Sequence, residues 1–178
     1  MKGIIFKEFL NMTEEKFGYE MADKIIVEAK LPNDGAYTSV GTYPHSELVK
    51  LLTLLNQHSE IDSGILLREF GEYVFKVFLK RYKSMFEGID NGFSFLSIIE
   101  DTIHKEVLKL YPEAELPSID TDQSEQQLKL VYRSSRKMSD FAEGLINGCM
   151  EYYGENVSIE KQLIKADGSE VQFIIIPQ

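Results

Sequence analysis

Hydrophobic residues recur at helical spacing through the first 110 residues of the chain. Apolar positions three or four residues apart predict five helices in this part, and Gly18, Pro32 and Pro112 are expected to end the first, the second and the fifth. The positions that mark the five helices are, in order, Ile5, Phe9 and Met12; Met21, Ile25, Ile26 and Ala29; Leu48, Leu51, Leu52 and Leu55; Ile65, Leu66, Phe70, Tyr73, Val74, Val77 and Phe78; and Phe93, Leu96, Ile99, Ile103 and Val107.

The pattern changes after residue 110. Residues 111–127 contain two prolines and many polar side chains, which predicts a polar linker. A strand at about 127–134, a helix at about 139–153 and a terminal hairpin follow, with Asp167 and Gly168 as the turn signal. We therefore expect one α+β domain over residues 1–178. Its helical lobe would cover about 1–110, and its mixed lobe, with an antiparallel sheet, about 111–178.

Composition and charge limit the classes of partner. The formal net charge of −10 argues against nucleic acid or an anionic membrane, because both need a basic surface. No run of 18 apolar residues predicts a membrane span, and the N-terminus lacks a signal-peptide pattern. The single cysteine, Cys149, fits a cytoplasmic protein and is expected to be a small buried hydrophobe on its helix.

Three polar side chains follow one face of the strand predicted at 127–134. With side chains alternating at period two, Tyr132, Ser134 and Arg136 continue the face that begins with two leucines. A partly buried guanidinium requires an anion, and two hydroxyls beside it suit an extended anion such as a pair of carboxylates. Pairing of Arg136 with one of the chain's own acidic residues is the alternative, and periodicity alone does not separate the two.

His104 lies at the edge of the apolar stripe of the fifth predicted helix. A histidine in this position is most often hydrogen-bonded to a neighbour at the edge of a core. The functional alternative is a single axial ligand to a metal in an apolar pocket, and haem iron requires only one such protein ligand. His45 and His58 are expected at the surface without a role.

Signatures of catalysis do not emerge from the sequence. It contains no phosphate-binding loop, no dinucleotide-binding glycine pattern and no recognisable nucleophile–histidine arrangement, and its Asp and Glu residues are expected on solvated helix faces. A binding or sensing function is therefore favoured over an enzyme.

The chain resembles the H-NOX family, haem nitric oxide/oxygen-binding domains related to the sensor domain of soluble guanylate cyclase. The resemblance rests on a histidine followed, after a proline-containing segment, by Tyr-x-Ser-x-Arg. It extends over nearly the whole chain, through "MKGIIF", "FGEYVF", "IHKEVLKLYP", "LVYRSSR" and "AEGLINGC" in the family's order.

This resemblance implies a haem b cofactor buried between the two lobes. His104 would be the proximal ligand of the iron, and Tyr132, Ser134 and Arg136 would hold the two propionates. Four further residues match positions that pack on the porphyrin, and the third of them would bend the ring: Ile5, Phe78, Pro117 and Leu145.

The resemblance also implies a preference among gases. Family members that hold oxygen donate a hydrogen bond to it from a tyrosine, and the matching residue here is Phe141. A neighbouring pocket position matches Val74, which also lacks a donor. We therefore expect ferrous haem in this chain to bind nitric oxide and carbon monoxide and to exclude oxygen.

Signalling is expected to proceed by release of His104 when nitric oxide binds. Because the chain ends soon after the hairpin, the partner is expected to act in trans, as a bacterial histidine kinase or a cyclic-di-GMP enzyme by family resemblance. A nitric oxide scavenger or carrier without a partner and a haem-free interaction module are the alternatives. A haem peroxidase is disfavoured, because cleaving an O–O bond needs polar distal groups.

Overall fold

The structure, a computed structural model, describes residues 1–178 and divides by its contacts into two compact units, Met1–Phe70 and Gly71–Gln178. The first unit contains three complete helices and the beginning of a fourth. These are α1 (Gly3–Phe17), α2 (Tyr19–Ala29), α3 (His45–Ser59) and α4 (Ser63–Arg81).

The first unit is built on the apolar positions that predicted its helices. α1 ends at Gly18, whose positive φ of 86° suits a residue without a Cβ atom. Most of the marker residues are buried, as the helical spacing predicts, while Ile5 is only partly buried. The buried ones include Phe9, Met12, Ile25, Ala29, Leu48, Leu51, Leu52, Leu55, Leu66 and Phe70.

The second unit contains the rest of α4, a short 3₁₀ helix and three further α-helices. The α-helices are α5 (Gly92–Ser97), α6 (His104–Leu110) and α7 (Ser139–Tyr153), and the 3₁₀ helix is Lys83–Met85. The prediction of one continuous fifth helix is wrong. α5 ends at Ser97, with Ile98 as its C-cap, and a π-helical segment, Ile99–Ile103, leads into α6.

Four antiparallel strands form the sheet of the second unit, in the order β1-β2-β4-β3. The strands are β1 (Ser118–Gln123), β2 (Leu128–Arg133), β3 (Val157–Leu163) and β4 (Glu170–Pro177). β3 and β4 form the predicted terminal hairpin, and Gly168 takes a φ of 77° in its turn. Seven α-helices and an antiparallel sheet confirm the α+β class.

β1 lies inside the segment that the sequence predicts to be a polar linker, so that prediction is wrong for residues 118–123. Ile119 is the only buried side chain of the strand, which explains why no apolar alternation marks it. Its pairing with β2, in which Ile119 lies opposite Tyr132, supplies backbone hydrogen bonds that depend little on side-chain type.

The polar face predicted for β2 is shorter than expected. Leu128, Leu130 and Tyr132 point inward and are buried, as alternation predicts. The strand ends at Arg133, however, so Ser134 and Arg136 lie in the turn that follows it rather than on its face. In this turn the backbone N–H of Lys137, at a φ of 55°, donates to the carbonyl of Ser134 at 3.2 Å.

Helical residues after Phe70 group with the sheet because α5 packs against both α7 and β1. The single domain over 1–178 and its lobes at about 1–110 and 111–178 stay predictions. None of the helices combines the length and the apolarity that crossing a membrane requires.

Candidate functional site

His104 is the first residue of α6, directly after the π-helical segment. The backbone N–H of Ile103 reaches back to Ile98, at 3.3 Å, and the N–H of His104 reaches Ile99, so both bonds span five residues. The His104 side chain is 14% exposed, which places the imidazole at the edge of the core.

The imidazole of His104 has one defined hydrogen-bond partner. Its Nδ1 lies 2.9 Å from Oε2 of Glu100, one turn earlier. A carboxylate oxygen accepts hydrogen bonds, so Nδ1 is the donor in this contact, and in the neutral imidazole Nε2 is then the nitrogen with the lone pair. This contact agrees with the first alternative from the sequence, a histidine hydrogen-bonded to a neighbour. It also leaves Nε2, the nitrogen that a metal would need, without a hydrogen-bond partner from Glu100.

Glu100 makes a second contact that sequence reasoning missed. Its Oε2 also accepts a hydrogen bond from the backbone N–H of Ile119 on β1, at 3.0 Å. Glu100 is 45% exposed, in agreement with the expectation that the acidic residues lie on solvated helix faces, but its carboxylate also contacts the histidine and the strand. The spacing of four residues from His104 was the signal that could have identified it.

Tyr132, Ser134 and Arg136 come together at the end of β2, although the last two lie beyond the strand. Tyr132 is 5% exposed, and burial raises the pKa of its hydroxyl. Hydrogen bonds with the Ser134 side chain and the Met138 backbone, and the charge of Arg136, partly offset that rise in pKa. The backbone N–H of Arg136 donates to Oγ of Ser134 at 3.2 Å, which fixes the turn.

The guanidinium of Arg136 already holds a carboxylate. Its Nη2 donates to Oε2 of Glu115 at 2.7 Å, and its Nη1 donates to the Glu115 carbonyl oxygen at 2.7 Å. The Arg136 side chain is 12% exposed and the Glu115 side chain 85%. Pairing with an acidic residue of the chain, the alternative left open by periodicity, is thus present. Because its acidic partner is exposed, the same fork of donors is suited to a carboxylate from a bound molecule.

The apolar candidates are distributed over both units. Ile5 belongs to the first unit and is partly buried; Phe78, Pro117 and Leu145 belong to the second and are also partly buried. Each therefore retains apolar surface that protein neighbours do not cover.

α4 and α7 approach closely where the two gas-pocket candidates lie. Val74 on α4 is fully buried, and Phe141 on α7 is partly buried. A Cβ atom at Gly71 would come within 2.3 Å of the carbonyl oxygen of Phe141 and 2.7 Å of the backbone nitrogen of Leu145. Only a glycine at this position permits such backbone contact between the two helices.

The other histidines and the cysteine take structural positions. His45 is exposed at the beginning of α3, and His58 is paired with Glu28 at 2.8 Å. Cys149 is fully buried, as expected, and burial raises the pKa of its thiol, which disfavours the reactive thiolate.

The chemistry of these side chains fits a haem group. Haem requires one imidazole nitrogen for its iron, donors for two carboxylates and apolar surface for its ring. His104 offers Nε2, Arg136 offers a guanidinium already engaged by a carboxylate, and Phe78, Pro117 and Leu145 offer partly exposed carbon. His104 and the Tyr132–Ser134–Arg136 cluster belong to the same compact unit, Gly71–Gln178.

Comparison with known proteins identifies the family. A family model described as haem-NO-binding matches residues 2–161, and the chain belongs to this family, the H-NOX domains. Domains of this family bind haem and act as gas sensors rather than as catalysts. A search of curated protein sequences finds no match.

Solved structures of bacterial H-NOX proteins have the same fold. The unliganded Fe(II) protein from K. algicida is 41% identical over 100% of this chain and 97% of its own, with a TM-score of 0.95. The Fe(II)NO form of the S. oneidensis protein is 28% identical over 100% and 99%, with a TM-score of 0.93. The IWP-051-bound Fe(II)CO form from Shewanella woodyi is 36% identical over 100% and 95%, with a TM-score of 0.86.

Proposed function

We propose that this protein is a haem-based sensor that binds nitric oxide and carbon monoxide at ferrous haem b, excludes oxygen and signals to a separate partner. The observation that supports it best is the donor set of the second unit. A haem has two polar requirements, an imidazole for its iron and donors for its carboxylates. The second unit contains both, an imidazole whose Nδ1 is occupied and a cluster that binds a carboxylate, and the chain belongs to a haem-binding family.

His104 is proposed as the proximal ligand, through Nε2. Arg136, Tyr132 and Ser134 bind the two propionates, with Arg136 exchanging the exposed Glu115 carboxylate for one of them. Ile5, Phe78, Pro117 and Leu145 would pack on the ring, and Pro117 would bend it. A bound haem would supply a ferrous centre for a diatomic gas, with His104 as its protein ligand.

Val74 and Phe141 are proposed to face the bound gas. Bound oxygen carries partial negative charge and gains from a hydrogen-bond donor, whereas nitric oxide and carbon monoxide gain far less. Neither side chain has a hydrogen-bond donor, so neither would stabilise bound oxygen. The structures of related proteins with NO and CO bound support these two gases as ligands.

Release of His104 on nitric oxide binding is proposed as the signal. α6 would then lose its anchor on the cofactor, while Arg136 and Tyr132 would still hold the propionates at the end of β2. A partner that binds the two states with different affinity reads the change. By family resemblance the partner is a histidine kinase or a cyclic-di-GMP enzyme, and the setting is the bacterial cytoplasm.

Absorption spectroscopy of the reduced protein tests the binding part of this proposal. We expect a haem spectrum that changes with nitric oxide and with carbon monoxide, and no stable oxygen complex in air. A stable oxygen complex would contradict the exclusion of oxygen. A colourless protein after haem is supplied would contradict haem binding and support a haem-free module.

Activity of a candidate kinase or cyclic-di-GMP enzyme, measured with the protein present, tests signalling. Nitric oxide should change the activity with the native chain and not with His104→Gly. An equal response with both proteins would contradict the release of His104. A partner that responds to neither state, with gas binding intact, would support a scavenger or carrier.

A further inference from the structure

Glu100 joins the histidine to the sheet through a single oxygen atom. Its Oε2 accepts the Nδ1–H of His104 at 2.9 Å and the backbone N–H of Ile119 at 3.0 Å. The Glu100 side chain is 45% exposed, and its Oε2 is shared by two protein donors.

The second donor belongs to the edge strand of the sheet. β1 has only β2 as a neighbour, and Ile119 lies directly opposite Tyr132 in their pairing. The imidazole at the beginning of α6 is therefore connected to the strand pair that carries the Tyr132–Ser134–Arg136 cluster. The connection has two parts: the two hydrogen bonds that Oε2 of Glu100 accepts, and the pairing of Ile119 with Tyr132 in the sheet.

The adjacent acidic residue provides a natural comparison. Asp101 pairs with Lys105 at 2.9 Å, with the same spacing of four residues as Glu100 and His104. Both partners of that pair are exposed, and an exposed pair of this kind contributes little to stability. Glu100 differs because its partners are a mostly buried imidazole and a strand N–H.

We propose that Glu100 is a positioning residue for His104, which fixes the tautomer and direction of the imidazole and strengthens its bond to iron. The inference rests on the proposed function, in which His104 is the iron ligand. A carboxylate that accepts the second ring N–H of a ligating histidine raises the basicity of the ligand. Glu100 thus holds the imidazole in the tautomer that presents Nε2 to the metal.

Resonance Raman spectroscopy of the reduced, gas-free protein measures the iron–histidine bond directly. Glu100→Gln keeps a weaker, neutral acceptor, and Glu100→Ala removes the acceptor. The iron–histidine stretching band should shift to lower wavenumber in the order native, Glu100→Gln, Glu100→Ala. The rate of haem loss to a scavenging protein should rise by about 10-fold or more in Glu100→Ala.

Asp101→Asn is the matched control, because it removes a carboxylate one residue away without touching His104. Its iron–histidine band should stay at the native position. Amide hydrogen exchange at Ile119 is an independent readout that does not depend on iron. It should become about 10-fold faster in Glu100→Ala, since a hydrogen bond to a charged group contributes about 1.5 kcal/mol or more, and stay native in Asp101→Asn.

The outcomes separate this inference from the proposed function. If the iron–histidine band stays at its native position in both Glu100 variants, the positioning role of Glu100 is overturned. If the band disappears in His104→Gly at the same time, the assignment of His104 as the ligand still holds. A band that persists in His104→Gly would overturn the ligand assignment and the inference with it. If Glu100→Ala does not fold, the shift between native and Glu100→Gln, with Asp101→Asn unshifted, decides the matter.

Discussion

The imidazole of His104 on α6 is hydrogen-bonded to Glu100, whereas the side chains of Val74 on α4 and Phe141 on α7 contain no donor or acceptor. Glu100 and Ile119 determine the environment of the first. Backbone contact at Gly71 determines the spacing of the helices that carry the other two. Removing one hydrogen-bonding atom destabilises a hydrogen-bonded site, because its partner is left unsatisfied. Adding one atom destabilises a tightly packed site, because no space is available for it.

Loss of the imidazole should have the largest effect on the polar side. His104→Gly removes the proposed ligand, so the reduced protein should lose its native absorption spectrum entirely. Free imidazole should restore that spectrum by entering the space left by the ring. An unchanged spectrum in His104→Gly without imidazole would show that another residue binds the iron.

Loss of the guanidinium should weaken haem binding next. Arg136→Ala removes charge-assisted hydrogen bonds worth about 1.5–3 kcal/mol, which corresponds to about 10- to 100-fold weaker binding. Haem titration of the apoprotein measures this. The control is Arg133→Ala, a neighbouring guanidinium that pairs with Asp120 and Glu170. An equal loss of haem affinity in Arg136→Ala and Arg133→Ala would contradict a specific role of Arg136 in haem binding.

Addition of a methyl group should disturb the apolar side. Gly71→Ala forces α4 and α7 apart, and overpacking of this kind costs about 1–3 kcal/mol of unfolding free energy. Denaturant unfolding measures the cost. Gly148→Ala, whose Cβ would lie 2.9 Å from Cβ of Phe75, should cost less, because the corresponding contact at Gly71 is shorter, 2.3 Å, and is made to backbone. The reverse order would contradict the close helix contact.

Addition of a hydroxyl group should produce the smallest change and the most specific one. Phe141→Tyr introduces a donor worth about 0.5–1.5 kcal/mol to bound oxygen, enough for oxygen binding to become measurable. Oxygen titration of the reduced protein tests it. Phe78→Tyr is the control, since Phe78 is proposed to face the ring rather than the gas. If only Phe78→Tyr bound oxygen, Phe78 rather than Phe141 would be the residue that faces the gas.

Sequence patterns predicted those parts of the fold that depend on repeated apolar burial. α1, α2, α3 and α7 and the terminal hairpin follow from helical or alternating spacing and turn residues. β1 escaped prediction because a paired edge strand needs only one buried side chain, Ile119. The division between α5 and α6 escaped it because the apolar stripe continues through the π-helical segment.

Candidate site residues were accessible to sequence reasoning to different degrees. His104 and Arg136 were found because an imidazole or a guanidinium beside apolar positions is unusual. The contacts of Glu100 and Glu115 were not, since Ile119 and Arg136 lie 19 and 21 residues away in the chain. Pairings over such distances depend on how β1 and the preceding segment fold back.

β1 also affects how copies of this protein behave toward one another. An edge strand offers unpaired backbone groups on which a second chain can add a strand. Here the N–H of Ile119 is already occupied by Glu100, and the exposed Asp122 places negative charge on the strand. A second copy, itself carrying a net charge of −10, meets like charge at this edge. The strand that we propose helps to orient the imidazole therefore also offers a second copy a less open edge for strand pairing.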